Sequence, residues 1–412
     1  MSYLTKSEIK LIILNFMSYT FLVYNYSVLL VFNSPYISEL LFKGSYIFSL
    51  LGVYALVLID VIMRVPGAYI LGPISDKYGR KFVIRISSIG SALPLVIIAL
   101  FQVNPLILIL LYIIQGFFTG GLSAGITVIG IEDLPERHRG WFSGSGFAVG
   151  GSAYLIASLI FFSILKFTGN ANYLNIGWRI MFLTSLLVLP FGFLMPESRK
   201  FRENKERIKT PIRILISYYK RKFILSASLT ALWASMNALA NSLLPNFLYS
   251  VNHFTKVQIT EMSLIYSVMT IVSAFIGGEL SETLGRKRIS LIGGLLGIIF
   301  SPTFILLANL RNFAPYLIAI IGFTSVFGGG GIMAYVNENY PTKIRSTGVS
   351  LSWNIGFLVG NLIPLLITTV LYNTSISLFP IAETTSMIIL GIIIIIVSLI
   401  SHETKGNIDR EK

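Results

Sequence analysis

The chain has 412 residues, of which 54% are hydrophobic and only 12% are charged. Soluble domains have about a quarter of their residues charged, so this composition excludes an ordinary soluble protein and favours one that places its surface in lipid. The net charge is +14, but the cations form short clusters between apolar runs, and this distribution argues against a nucleic-acid-binding protein. The chain has no cysteine and only three scattered histidines, so we expect no metal centre and no cofactor.

Twelve apolar segments follow one another along the chain, and each is close to the roughly 20 residues that cross a bilayer as a helix. Helices are expected because lipid offers no partner for a free backbone amide or carbonyl. The segments lie at about residues 11–32, 46–71, 83–103, 106–131, 141–165, 178–195, 223–249, 259–281, 289–309, 315–338, 346–371 and 382–401. The sequence therefore predicts an all-α membrane protein with twelve transmembrane helices.

Lysine and arginine are distributed unequally between the two sides of such a bundle. With both termini on one side, that side holds 26 of the 32 cations, while the other side holds five and Arg64 lies within a span. Loops rich in lysine and arginine face the cytoplasm, so both termini are expected there. Lys6 and Lys10 precede the first segment, which we interpret as a span rather than a cleaved signal. The predicted location is the cell membrane.

The longest polar stretch, Glu197–Lys222, separates six apolar segments from six and carries ten cations. Such a charge run is typical of a solvated connector that also fixes topology, and binding of lipid or of a partner is the alternative. The predicted domains are an N-terminal six-helix bundle over 1–198, a cytoplasmic linker over 199–222 and a C-terminal six-helix bundle over 223–412.

The two predicted halves repeat at a constant offset of 206 residues. The segment Gly72–Lys81 corresponds in this way to Gly278–Lys287. The same offset relates Glu132 to Glu338, Arg139 to Arg345, and Glu197 to Glu403. Because six helices separate the copies, both halves enter the membrane in the same sense, as in transporters built from parallel repeats. A binding site between such halves can open alternately to the two sides.

The repeated segment resembles the signature of the major facilitator superfamily, G-x-x-x-D-x-x-G-R-[RK]. Arg64–Gly67, Gln115–Gly121 and Glu338–Gly356 look like motifs of its metabolite:proton symporters. Glu403–Gly406 resembles the C-terminal motif of the neighbouring sugar porters, although Met333 stands where they have tryptophan. The metabolite:proton symporters carry two acids in helix one, and both are missing from the matching segment Met17–Phe21. Tyr112 replaces an arginine of the symporters, and Leu122 replaces a glutamate. The resemblance therefore implies the fold and leaves the substrate and its coupling open.

The resemblance also implies a gating network on the cytoplasmic side. In the family, the acid that matches Asp76 faces the N-terminus of the eleventh helix, which here begins near Ser346, and an anion is favoured there by the helix dipole. The alternative is that these charges only fix loop order and topology. The matching positions are Gly72, Asp76, Gly79, Arg80, Glu132, Arg139, Glu197, Glu282, Arg286, Glu338, Arg345 and Glu403.

Asp60 and Arg64 form the clearest charge pair inside a predicted span. Their i,i+4 spacing places them on one helix face, with the acid on the favoured N-terminal side. Charged groups in a membrane usually line a cavity or a transport path. Three interpretations stay open. The pair is static and orders the helix, or Asp60 binds the driving proton while Arg64 modulates it or meets an anionic substrate, or Arg64 snorkels while Asp60 faces a neighbouring helix.

Polar and aromatic residues of the spans are candidates for lining a substrate cavity. Hydrogen bonding or packing between helices is the competing interpretation for each of them. They are Tyr19, Tyr24, Asn25, Gln115, Trp233, Asn237, Asn241, Trp353 and Asn354. The glycine runs of the fourth and tenth spans lack the lysine that a nucleotide loop needs, and they favour close helix packing instead.

These patterns predict a secondary transporter rather than an enzyme. The expected substrate is a small organic metabolite, with a carboxylate and proton symport favoured by Arg64 and by the family resemblance. The alternatives are a sugar or polyol porter, a multidrug-type exporter, and a transporter-like nutrient receptor. The expected partners are the substrate, protons and the lipid bilayer, with no nucleic acid, and the chain is expected to be a monomer.

Overall fold

A computed structural model describes residues 4–28, 46–204, 208–373 and 376–406 of the chain. Within these ranges the protein is all-helical and contains no strand, as the hydropathy pattern predicts. The helices are α1 (Lys6–Ser27), α2 (Tyr46–Tyr78), α3 (Arg80–Leu100), α4 (Pro105–Asp133), α5 (Glu136–Asn172), α6 (Trp178–Leu183), α7 (Val188–Leu194), α8 (Arg199–Glu203), α9 (Pro211–Tyr218), α10 (Lys220–Ser242), α11 (Leu244–Ser250), α12 (Lys256–Leu284), α13 (Arg286–Phe300), α14 (Thr303–Asn309), α15 (Ala314–Val326), α16 (Ile332–Glu338), α17 (Arg345–Asn373) and α18 (Phe379–Ile400).

Ten helical stretches of the described ranges are long and apolar enough to cross a membrane. They coincide with ten of the twelve predicted spans. The remaining two, 11–32 and 346–371, correspond to α1 and α17, which are helical but are not among the ten. Residues 29–32 lie outside the described ranges. A total of twelve spans and the cytoplasmic position of both termini stay predictions.

Residue contacts divide the chain into two compact units. The first unit comprises Met1–Asp133, Ser152–Leu215 and Thr342–Asn354. The second unit comprises Leu134–Gly151, Ile216–Pro341 and Ile355–Lys412. The short helices α8 and α9 lie within the predicted linker 199–222, in which residues 205–207 are outside the described ranges. The division into bundles 1–198 and 223–412 stays a prediction.

The repeated motif is more helical than its polar sequence indicates. The second span is predicted to end at residue 71, but Gly72–Tyr78 forms the last turns of α2, and Asp76 lies in that helix. The chain turns only at Gly79, whose φ of 109° favours glycine, and α3 begins at Arg80. Gly285 repeats this turn between α12 and α13 with a φ of 98°. The polar residues remain helical because other helices satisfy their side chains.

Helix α4 packs closely on α2 through its glycines. A Cβ at Gly116 would meet the backbone of Asp60, and one at Gly120 would meet the backbone of Arg64. Small residues at such contacts allow membrane helices to approach closely, as the glycine run of this span predicts. The packing fixes the charged face of α2 against α4.

Replacing Gly120 by leucine should destabilise the first unit, because the new side chain would collide with the Arg64 backbone. Overpacking of this kind costs about 1–3 kcal/mol. The melting temperature of the purified protein in detergent should fall by several degrees. Gly150→Leu is the matched control, since nothing lies within 4 Å of a Cβ at that glycine. Equal melting temperatures for the two variants would contradict close packing at Gly120.

Candidate functional site

The carboxylate of Asp76 caps the N-terminus of α17 within the first unit. Its Oδ1 accepts a hydrogen bond from the backbone N–H of Ser346 at 3.0 Å, and its Oδ2 accepts from the backbone N–H of Thr347 at 2.8 Å. The Thr347 hydroxyl donates to the same oxygen at 2.6 Å. These amides have no partner within their own helix, so the carboxylate satisfies them and meets the positive end of the dipole. Gly72 permits this approach, because a Cβ there would lie 2.6 Å from the Ser350 hydroxyl.

A buried ion cluster lies beside this cap. Glu132 accepts hydrogen bonds from Arg80 at 3.0 Å and from Arg345 at 2.9 Å, and all three side chains are fully buried. The Ser198 hydroxyl donates to the same carboxylate at 2.5 Å. Glu197 accepts from the backbone N–H of Arg80 at 3.0 Å. Buried charges persist only when they are paired and hydrogen-bonded, and this cluster meets both conditions.

The second unit holds the repeated copy of this cluster. Glu338 accepts from Arg286 at 3.0 Å and from the Thr404 hydroxyl at 2.8 Å, and Glu403 accepts from the backbone N–H of Arg286 at 2.9 Å. Glu282 pairs with Arg286 at 2.7 Å. Glu282 also accepts from the backbone N–H of Gly140 in the first turns of α5, which mirrors Asp76 at α17. Arg139, the neighbour of that glycine, is buried. The structure thus joins the charged gating candidates other than Arg139 into two related clusters, one in each unit.

Asp60 and Arg64 form an ion pair on α2 away from these clusters. Asp60 Oδ2 accepts from Arg64 Nε at 2.9 Å and from Arg64 Nη2 at 2.5 Å. The Asp60 side chain is 5% exposed, whereas that of Arg64 is 17% exposed. Asp60 lies about 18 Å along the helix from Gly72, so the pair is deep in the span. The arginine is therefore the more accessible member of a buried pair.

Several buried polar atoms near this pair have no hydrogen-bond partner among the described residues. They include the second carboxylate oxygen of Asp60, the hydroxyl of Tyr112 and the side-chain carbonyl oxygen of Gln115. Tyr112 interacts electrostatically with Asp60, and Gln115 precedes the glycine that touches the Asp60 backbone. Buried polar groups are nearly always paired, so a group of unpaired ones marks a place for water or a ligand.

Aromatic and amide groups complete the polar region of the first unit. The indole N–H of Trp353 donates to the Tyr19 hydroxyl at 2.6 Å, and Tyr19 interacts electrostatically with Arg64. Asn354 donates to the Ser123 hydroxyl of α4 at 2.9 Å. Six of the predicted cavity residues lie in the unit that holds Asp60 and Arg64: Tyr19, Tyr24, Asn25, Gln115, Trp353 and Asn354.

The remaining predicted cavity residues differ in their surroundings, and Trp233, Asn237 and Asn241 lie in the second unit. The Tyr24 hydroxyl is 2.6 Å from that of Thr184, which ties α1 to the turn after α6. Trp233 is fully buried in the second unit, where its indole N–H donates to Ser290 at 3.0 Å. Asn237 is half-buried and Asn241 is exposed. Asn25 is buried, and neither atom of its amide has a partner among the described residues.

Sequence reasoning missed one intramembrane acid. Glu383 of α18 is fully buried, and neither of its carboxylate oxygens has a hydrogen-bond partner in the described ranges. The signal was present, since Glu383 is the only charged residue of α18. Glu383 has no cation four residues before or after it, whereas Asp60 has Arg64 at that spacing and was singled out for this reason.

Ten apolar helical stretches and a buried ion pair within one of them are the features that a membrane transport protein is expected to have. The chain belongs to the Major Facilitator Superfamily, whose family model matches residues 13–364 and 234–408. It is accordingly a multi-pass cell-membrane transporter and not an enzyme, as the sequence predicts.

Three curated bacterial relatives illustrate the resemblance. A "Putative proline/betaine transporter" of Staphylococcus aureus (strain COL) is 28% identical over 87% of this chain and 82% of its own length. The ectoine/proline transporter ProP of Corynebacterium glutamicum is 26% identical over 78% of this chain and 70% of its own. The citrate-proton symporter of Klebsiella pneumoniae is 26% identical over 83% of this chain and 81% of its own. These names support a small-metabolite transporter.

Solved structures share the fold at lower identity. The proton:xylose symporter XylE, bound to 6-bromo-6-deoxy-D-glucose, has a TM-score of 0.78 at 15% identity and covers 98% of each chain. The human organic anion transporter MFSD10 has a TM-score of 0.71 at 13% identity and covers 96% of this chain and 100% of its own. At such identities the likeness concerns the fold and carries no information on the substrate.

Proposed function

We propose that the protein is a proton symporter that imports a small carboxylate-bearing metabolite, of the proline and betaine class in the first instance. The observation that carries this proposal is the buried Asp60–Arg64 pair, which joins a titratable acid to a partly accessible guanidinium. The names of the bacterial relatives support it, because proline, betaine, ectoine and citrate all contain a carboxylate.

Arg64 is the proposed partner of the substrate carboxylate. Its guanidinium offers five donors in a planar fork that suits a carboxylate, and Asp60 receives only two of the bonds. Its greater exposure leaves the rest of the fork accessible. The substrate's cationic end would meet the aromatic faces of Tyr19 and Trp353, since quaternary ammonium groups bind to such rings.

Asp60 is the proposed proton carrier. When the substrate carboxylate takes over Arg64, the Asp60 carboxylate loses its neutralising partner within a buried environment. An unpaired buried carboxylate is strongly unfavourable, so uptake of a proton accompanies substrate binding. Substrate and proton then depend on each other for binding, which is the thermodynamic requirement for symport.

The clusters around Glu132 and Glu338 are proposed to act as gates and not as substrate sites. We place them on the cytoplasmic side from the distribution of lysine and arginine. Asp76 and Glu282 would hold the N-terminal turns of α17 and α5 in one state and release them in the other. Alternating access requires two such arrangements that differ by only a few kcal/mol.

The test is uptake by the purified protein in liposomes with and without an imposed inward proton gradient. The labelled compounds are proline, glycine betaine, ectoine, citrate, xylose and a lipophilic cation. We expect accumulation of at least one carboxylate-bearing compound above equilibrium only when the gradient is present. Gradient-independent equilibration of xylose alone would overturn the proposal, and export of the lipophilic cation would favour the multidrug alternative.

A further inference from the structure

The first turns of α18 carry a buried carboxyl group that the proposed symport mechanism does not use. Glu383 lies on the inward face of this helix, one turn after Phe379 and one turn before Met387, and all three are buried. Phe379 packs on Phe247 of α11 with ring centroids 5.3 Å apart. The next residue, Thr384, donates its hydroxyl to the carbonyl of Ser301 at 3.2 Å. Glu383 is thus held in packed surroundings and does not point into lipid.

Among the described residues, no charged side chain of α10 or α13 lies near this carboxyl group. Helices α10 and α13 carry their charges in their first turns: Lys220, Arg221 and Lys222 in α10, and Arg286, Lys287 and Arg288 in α13. Ser398 of α18 lies 2.9 Å from Ser290 of α13, and Arg221 and Lys222 of α10 interact electrostatically with His402. Both groups of cations therefore lie at the opposite end of α18, about 22 Å or more from Glu383 at 1.5 Å per residue.

Within the described ranges, the other neighbours of α18 carry no basic residue in their own sequences either. Helix α14 and the turn Ile376–Leu378 contain no titratable residue. Arg311 follows α14, but its guanidinium stacks on the Phe254 ring at 4.7 Å. Tyr249 is the only titratable residue of α11, and it is 67% exposed. An ionised carboxylate would therefore be uncompensated among the described residues, whereas a neutral carboxyl group is compatible with this packing.

A small cavity lies one helical turn from this group, on the side of Met387. Met387 lines a space of about 10 Å³, whose wall also contains the hydroxyl-bearing residues Ser301, Thr303, Thr324 and Ser325. That volume is enough for about one water molecule. Glu383 itself is not part of this wall, which is mainly apolar, so the cavity places room for water about one helical turn from the carboxyl group.

We propose that Glu383 is a second proton-binding site, located in the second unit and independent of Asp60. A proton is the ligand that these surroundings fit, because it needs no further ligands, whereas a bound metal ion needs several oxygen donors. Glu383 is protonated in the packed arrangement described here. Loss of the proton requires water at this end of α18, so protonation favours the packed arrangement and deprotonation favours a hydrated one.

The test is infrared spectroscopy of the reconstituted full-length protein, which detects the carbonyl-stretch band of a buried protonated carboxyl group. We expect wild type to show this band, Glu383→Gln to lose it and Glu383→Asp to shift it. Glu261→Gln is the matched control, because Glu261 lies on exposed α12 surface and its replacement should leave the band unchanged. If Glu383→Gln does not fold, the shift in Glu383→Asp carries the test.

Uptake measurements separate this proposal from the symport mechanism. Glu383→Gln should remove one titration from the pH profile of substrate exchange and keep substrate specificity, whereas Asp60→Asn should keep the Glu383 band. Identical bands in wild type and in both Glu383 variants would overturn the second proton site. Persistence of the Glu383 band together with full gradient-driven accumulation in Asp60→Asn would overturn only the proposed role of Asp60.

Discussion

Replacement of Asp60 by asparagine is expected to abolish proton-driven accumulation of the substrate while exchange of substrate across the membrane continues. Asparagine has nearly the same shape and keeps a carbonyl oxygen that can accept from Arg64, but it cannot take up or release a proton. Its neutral amide resembles the protonated acid, which is the state proposed to bind substrate. The variant should therefore bind and exchange, yet draw no energy from the gradient.

The measurement compares two assays in the same liposomes. Net uptake against a concentration difference reports coupling, and exchange of labelled for unlabelled substrate reports binding and movement of the carrier. We expect the first to fall to the level seen without a gradient and the second to persist. Glu279→Gln on the exposed surface of α12 is the control for a lost carboxylate. Full accumulation in Asp60→Asn would make Asp60–Arg64 a static pair that orders α2.

The paired clusters show what a repeat in the sequence can predict. The offset of 206 residues identified the members of both clusters, because each position is defined by its copy. Offset alone did not predict that Asp76 lies inside α2. The predicted span ends at residue 71, but α17 and Arg80 satisfy the Asp76 carboxylate and allow the helix to continue to Tyr78.

The cavity residues show where sequence reasoning fails. Tyr19 and Trp233 are both aromatic residues of apolar helices, yet one contacts Trp353 near Arg64 and the other packs on glycines of the second unit. The direction in which such a side chain points depends on helix rotation, which a uniformly apolar sequence specifies poorly. Glu383 was missed for a related reason, because a single acid in an apolar run has no sequence partner that reveals its surroundings.

Replacement of Asp76 by asparagine is expected to release the first turns of α17. The carboxylate accepts three hydrogen bonds there, and an asparagine amide would present a donor to one of the same N–H groups. Hydrogen bonds to a charged group contribute about 1.5–3 kcal/mol, which corresponds to a roughly 10–100-fold change in the population of the released state. The effect should be seen as accessibility of residues that α17 covers.

The absence of cysteine from the chain makes this accessibility measurable, since an introduced thiol is the only one present. Ser350 of α17 is fully buried against Gly72, so Ser350→Cys should react slowly with a water-soluble maleimide. Adding Asp76→Asn should raise the labelling rate about 10–100-fold if the cap holds the gate closed. The exposed-surface variant Glu279→Gln should leave the rate unchanged. The copy in the second unit can be tested by the same comparison at Ser143→Cys with Glu282→Gln, because the Ser143 hydroxyl is held by the backbone N–H of Ala334, which donates to it at 2.9 Å. An unchanged labelling rate in Asp76→Asn would mean that the cap orders α17 without taking part in gating.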